Sequence, residues 1–69
     1  MQFAEIEPSA ETWHEWDFIF TNAQDCDKAT QTALKAGLKL GLGSFNNNVR
    51  LSTDNASVAA MLRGLLAKL

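Results

Sequence analysis

Near residue 21 the spacing of apolar residues changes period, which restricts the chain to folds that combine strands with helices. Residues 12–20, TWHEWDFIF, set His14, Trp16, Phe18 and Phe20 at every second position, with Trp13, Glu15, Asp17 and Ile19 between them. That is the two-residue repeat of an extended strand. Cys26, Ala29, Ala33, Ala36, Gly37 and Leu40 then recur at three- and four-residue intervals, the repeat of a helix with one buried stripe.

The same reading extends to both ends. QFAEIE, residues 2–7, alternates as a first strand, with Ala4 and Ile6 opposite Phe3, Glu5 and Glu7, and Pro8-Ser9-Ala10 closes it. The spacing predicts a first helix over 25–40, capped by Asn22 or Asp25 and stopped by Gly41 and Gly43. SFNNNVRLST, residues 44–53, reads as a third strand whose three asparagines, Asn46, Asn47 and Asn48, are poor strand formers and make its first half a bend or ragged edge. A closing helix behind a Thr53/Asp54 cap gathers Val58, Met61, Leu62, Leu65, Leu66 and Leu69 on one stripe.

The expected fold is therefore a single small α+β domain over 1–69 in the order ββαβα. Its three-stranded, mainly antiparallel sheet carries two helices on one face, and the third strand lies beside the first. Trp16, Phe18 and Phe20 form the core face, each worth roughly 1.5–3 kcal/mol of burial. A chain this short buries only about 60% of the surface its unfolded state exposes.

Cysteine chemistry is limited because Cys26 stands alone, which rules out an internal disulfide, and His14 is the single histidine, too few soft ligands for structural zinc. No cofactor or metal is expected. Asp25 and Asp27 suit the first turn of a helix better than a cation, and GLGSFNNN puts its glycines after a helix rather than before one, unlike a phosphate-cradling loop. With an acidic N-terminus, Arg63 interrupting the longest apolar run, and no basic-then-apolar leader, the expectation is a cytoplasmic protein without membrane association. Asn55-Ala56-Ser57 matches the glycosylation triplet by coincidence in that setting.

Charge is distributed unevenly. Residues 1–27 hold Glu5, Glu7, Glu11, Glu15, Asp17, Asp25 and Asp27 and no Lys or Arg; residues 28–69 hold Lys28, Lys35, Lys39, Arg50, Arg63 and Lys68 against Asp54 alone. Such asymmetry bears on partners. By strand parity Glu5, Glu7, Glu15 and Asp17 stand on one face of the first hairpin, interleaved with Phe3, Trp13 and Ile19. Acids would steer toward a basic partner, and Trp13 would anchor.

The leading expectation is a small, non-enzymatic protein-binding protein that occupies a basic surface on a larger partner, such as a nucleic-acid-handling complex, through Glu5, Glu7, Trp13, Glu15 and Asp17. In its shortness, acidity and lack of a catalytic motif the chain is similar to the small inhibitors that phages make against host defence systems, anti-CRISPR proteins among them. That similarity implies inhibition by nucleic-acid mimicry. A competing expectation is a nucleic-acid-binding or RNA-cleaving module using His14 as a base and Lys28, Lys35 and Lys39 against phosphate. Direct nucleic-acid binding is disfavoured by the acidic hairpin. A third is an obligate homodimer of structural role, with the exposed sheet faces paired.

Overall fold

The computed structural model describes residues 1–69 as a two-layer α+β domain. Its elements are β1 (Ala4–Ile6), a 3₁₀ turn (Ala10–Thr12), β2 (Trp16–Phe20), α1 (Ala23–Lys35), β3 (Gly41–Phe45), β4 (Asn48–Thr53) and α2 (Ala56–Leu66). The sheet has four strands rather than three, in the order β1-β2-β4-β3, and every neighbouring pair is antiparallel. The strand expected beside β1 instead pairs with β2 on its other flank, leaving β1 and β3 as the edges.

The missed strand explains the difference. Residues 44–53 are parts of two strands joined at Asn46-Asn47, where Phe45 faces Asn48 across a two-residue turn. Both turn residues have positive φ, 49° and 68°, the type I′ geometry that matches strand twist and that asparagine tolerates far better than most residues. The three asparagines are thus two turn residues and the first position of β4. Asn46→Val is expected to lower stability by about 1–2 kcal/mol, whereas Asn47→Gly should be neutral or stabilising; urea titration of both variants checks this.

Gly41 and Gly43 belong to β3, not to a helix stop. A Cβ at Gly41 would lie 2.7 Å from Ser52 Oγ, and one at Gly43 2.6 Å from Arg50 Nη2, so these glycines leave room for side chains of β4 to lie across β3. The helix ends earlier, at Gly37, whose φ of 77° fits the left-handed position after a helix. Leu38 N–H donates to Ala33 O (2.9 Å) and Gly37 N–H to Leu34 O (3.0 Å), closing the last turn.

At its start α1 is capped by Asn22, whose Oδ1 accepts from the amides of Gln24 (2.8 Å) and Asp25 (3.4 Å). α2 is capped by Asn55 rather than by Thr53 or Asp54: Asn55 Oδ1 accepts from Ser57 N (2.8 Å) and Val58 N (3.1 Å), while Thr53 Oγ1 accepts from Asn55 N (3.1 Å).

Both helices contribute to one apolar core on the same side of the sheet. Cys26, Ala29 and Ala33 of α1 and Ala59, Leu62 and Leu66 of α2 join Phe18, Phe20, Leu38 and Leu51. Small residues on the buried stripe of α1 let that helix approach closely, and the sheet together with Leu62 and Leu66 of α2 supplies the bulk. Phe3 packs its ring 5.9 Å from the rings of both Phe18 and Phe20, within the range of favourable aromatic pairs. Met61 and Leu69, expected on the buried stripe of α2, are exposed.

Candidate functional site

Strand register decides where the expected acidic surface goes. Glu5 lies opposite Phe18 and Ile6 opposite Asp17, so Glu5 shares the helix-covered side with Phe18, while Asp17 points to the other side of the sheet with Ala4 and Ile6. The single acidic face expected from parity does not form, because the two strands pair one residue out of the phase it needed.

Each of those two acids has its own base. Arg63 of α2 grips the Glu5 carboxylate with both ends of its fork, Nε donating to Oε1 at 2.7 Å and Nη2 to Oε2, and this hydrogen bonding raises the Arg63 pKa further. Asp17 is fully buried, with Arg50 Nη1 of β4 3.5 Å away and 21% of the Arg50 side chain exposed. At that distance the contact is an ion pair rather than a hydrogen bond, and neither carboxylate oxygen nor Arg50 Nε has a hydrogen-bond partner. Burial pushes the Asp17 carboxyl up, and the charge of Arg50 pulls it part of the way back.

The remaining expected residues gather on the connection between β1 and β2. Glu7 is exposed just after β1, Glu15 is half-buried just before β2, and Trp13 is 80% exposed between them. Glu11, also exposed, belongs with them and was not among the expected site residues. Residues 12–15 do not form the start of β2. Instead the Ser9 carbonyl accepts from Thr12 N (3.1 Å), Thr12 Oγ1 (3.2 Å) and His14 N (2.8 Å), and Thr12 Oγ1 accepts from Ser9 N (2.9 Å). Thr12 is buried beneath the loop.

This knot forces an abrupt reversal. Trp13 and His14 are consecutive left-handed residues, φ 56° and 61°, a conformation that costs non-glycine residues roughly 1–2 kcal/mol each. The loop holds that strain in place and presents a large aromatic side chain to solvent in an acidic neighbourhood. Strain of this kind concentrates at ligand clamps and switch regions.

The alternative chemistries are distributed differently. His14 is exposed on this loop, while Lys28 and Lys35 lie on α1 and Lys39 after it, all exposed. Cys26 is buried in the core, its thiol pushed up by burial and further by the charge of Asp27, against a lowering hydrogen bond from Thr30. Asp25 accepts from the Gln2 amide at 3.4 Å, and no group of three or more His, Cys, Asp or Glu side chains is placed to hold a metal ion. No helix is long and apolar enough to cross a membrane.

The largest hollow, about 540 Å³ and broadly open, lies at the opposite end of β1 from the loop, beside Met1, Phe3, Ile19 and Asn48. It holds no ionisable side chain. Comparison of the chain with protein families, with curated proteins and with solved structures finds no match.

Proposed function

We propose that this domain is a non-enzymatic protein-binding module that docks its β1–β2 loop on a basic surface of a larger partner. The observation that carries this reading is Trp13, 80% exposed on a hydrogen-bonded loop whose other exposed or half-exposed charges are Glu7, Glu11 and Glu15. A loop backbone already fixed by hydrogen bonds loses little conformational entropy on binding, an indole has only two side-chain torsions to order, and tryptophan is enriched among residues that dominate interface energies. Acids around it complement a basic rim and accelerate encounter. Glu5 and Asp17 leave the proposed contact set, since their charges are engaged by Arg63 and Arg50.

The specific form proposed for the partner is a nucleic-acid-binding protein or complex, with the loop standing in for phosphate, the mode of an anti-CRISPR-like phage inhibitor. Tagged wild-type protein, Trp13→Ala and the triple variant Glu7→Lys/Glu11→Lys/Glu15→Lys are used to capture proteins from nuclease-treated host-type lysate. A protein retained by wild type is expected to bind Trp13→Ala at least about tenfold more weakly, and the triple variant more weakly still at low salt. Equal capture by all three, or capture that disappears with nuclease, overturns the reading. Asp17 stays out of the reversal because a lysine there would be buried.

A further inference from the structure

The two edges of the sheet are built differently. β1 is three residues long, its Glu5 is engaged by Arg63, and Pro8 follows soon after it. β3 is five residues long, Gly41–Phe45, unbulged, and matched to β4 residue for residue. No charged residue or proline occurs from Leu40 to Val49. Charges, prolines and bulges are what protect sheet edges from pairing with another strand, and β3 has none of them.

The turn settles which backbone groups are free. With Phe45 and Asn48 closing a two-residue turn, Phe45 exchanges hydrogen bonds with Asn48, and the antiparallel alternation directs Gly43 and Gly41 toward β4 as well. The N–H and C=O groups of Leu42 and Ser44 therefore point away from the sheet. On the helix-covered side of this edge Leu42 is 72% exposed and Leu34 of α1 is 66% exposed, separated by a small crevice of about 60 Å³ over Leu38 and Leu40. An unpaired strand and an apolar strip lie side by side.

We infer that this edge is a self-association surface, occupied by β3 of a second copy of the chain running antiparallel about a two-fold axis at Gly43. In that register Leu42 of one copy meets Ser44 of the other, so the outward groups of both residues are satisfied. Leu42 meets its own counterpart diagonally, within reach for side chains of this size. The strand itself carries no charge; the Arg50 guanidinium of each copy, which reaches over Gly43 beside the axis, arrives already paired with the Asp17 of its own chain, and Lys39 of each copy falls beside the uncharged Asn46-Asn47 turn of the other. The four-stranded sheet continues into an eight-stranded one, and both Trp13 loops, at the β1 flanks, stay free.

Size limits the strength. The molecule measures 29 × 25 × 17 Å, so even its broadest side falls short of the ~800 Å² per partner of a standard stable interface. The dimer is therefore of the weak, reversible class, to be sought between about 10 µM and about 1 mM protein.

Sedimentation and residue-resolved amide exchange across that concentration range test the inference on the wild type, Leu42→Lys and Ser44→Pro. The wild type is expected to pass from monomer to dimer, with the Leu42 and Ser44 amides gaining about tenfold or greater protection on concentration while the Gly43 amide, bonded to β4, is protected throughout. Leu42→Lys, at an exposed position, keeps the native circular dichroism spectrum and stays monomeric; Ser44→Pro removes an outward N–H and does the same. A wild type that is monomeric at about 1 mM, a dimer that survives Leu42→Lys, or concentration-dependent protection confined to another segment overturns the inference.

Discussion

Phe18→Ala is expected to lower the free energy of unfolding by about 3–5 kcal/mol. At ~0.05–0.15 kcal/mol per residue a chain of this length holds roughly 3–10 kcal/mol in total, so the loss removes about a third or more of the stability and, toward the lower end of that range, unfolds the domain at room temperature. Phe18 has no solvent exposure. It sits in the middle of the sheet, opposite Glu5 of β1 on one side and Leu51 of β4 on the other, beneath residues of both helices and beside the Phe3 ring. Strands held on two sides cannot move in to fill the space, which places the loss toward the upper end of the range. Chemical denaturation followed by circular dichroism measures it, with Trp13→Ala as the contrast: removal of a side chain that is 80% exposed should change stability by no more than about 0.5 kcal/mol. Equal losses at the two positions would mean that Trp13 is packed.

Arg50→Met is expected to lower stability by about 3 kcal/mol at neutral pH, because it leaves a buried carboxylate without its counter-charge. The effect has a definite pH dependence. Asp17 already holds its proton more tightly in the folded protein than its ordinary value near 3.8 allows, with burial the main cause and Arg50 opposing it. An acid with a raised folded pKa gives a contribution that falls as pH rises from its unfolded value through its folded value, then levels off. Removing Arg50 raises the folded pKa further and deepens that fall. The gap between variant and wild type should therefore be largest near neutrality and narrow on acidification toward about pH 4, as the buried carboxyl takes up a proton in both proteins. Thermal melts of both proteins from acid to neutral pH give the curve. A gap that stays constant with pH would assign the loss to packing of the arginine stem. Asp17→Asn combined with Arg50→Met is expected to recover most of the stability, since the uncompensated charge is then gone.

The helices and the core strand were legible in the sequence because their signals are local. Phe18 and Phe20 alternate as a buried strand face must, and Cys26, Ala29 and Ala33 repeat as a buried helical stripe must. β3 was hidden for a physical reason: a strand reading G-L-G-S-F has glycine at the positions that would show alternation, and those glycines are there because Arg50 and Ser52 of a neighbouring strand lie over them. The fate of the acids was hidden because it depends on pairing. Parity within one strand places Glu5 or Asp17 correctly relative to its own neighbours, but only the match of Ile6 to Asp17 shows that the two acids face opposite sides. Arg50 and Arg63, which engage them, lie 33 and 58 residues away in sequence. Exposure of Trp13 was readable, although for a different reason than its cause, a loop tied to Ser9 and Thr12.

The strand order also governs how the chain can fold. β2 and β3, linked through α1, are separated in the sheet by β4, so α1 crosses a position that is filled only by a later part of the chain. Residues 1–35 alone would place α1 over a gap where Leu51 belongs, and β2 would keep one flank unpaired. Pairing of β2 with β4, from Trp16 with Thr53 to Phe20 with Val49, closes loops of roughly 30–40 residues before contacts reward it, a slow step compared with hairpin formation. The β3–β4 hairpin, turned locally by Asn46-Asn47, can form first and insert as a unit. Assembly is thereby all-or-none: no N-terminal fragment of this chain has a complete core, and the order of strands makes the domain indivisible.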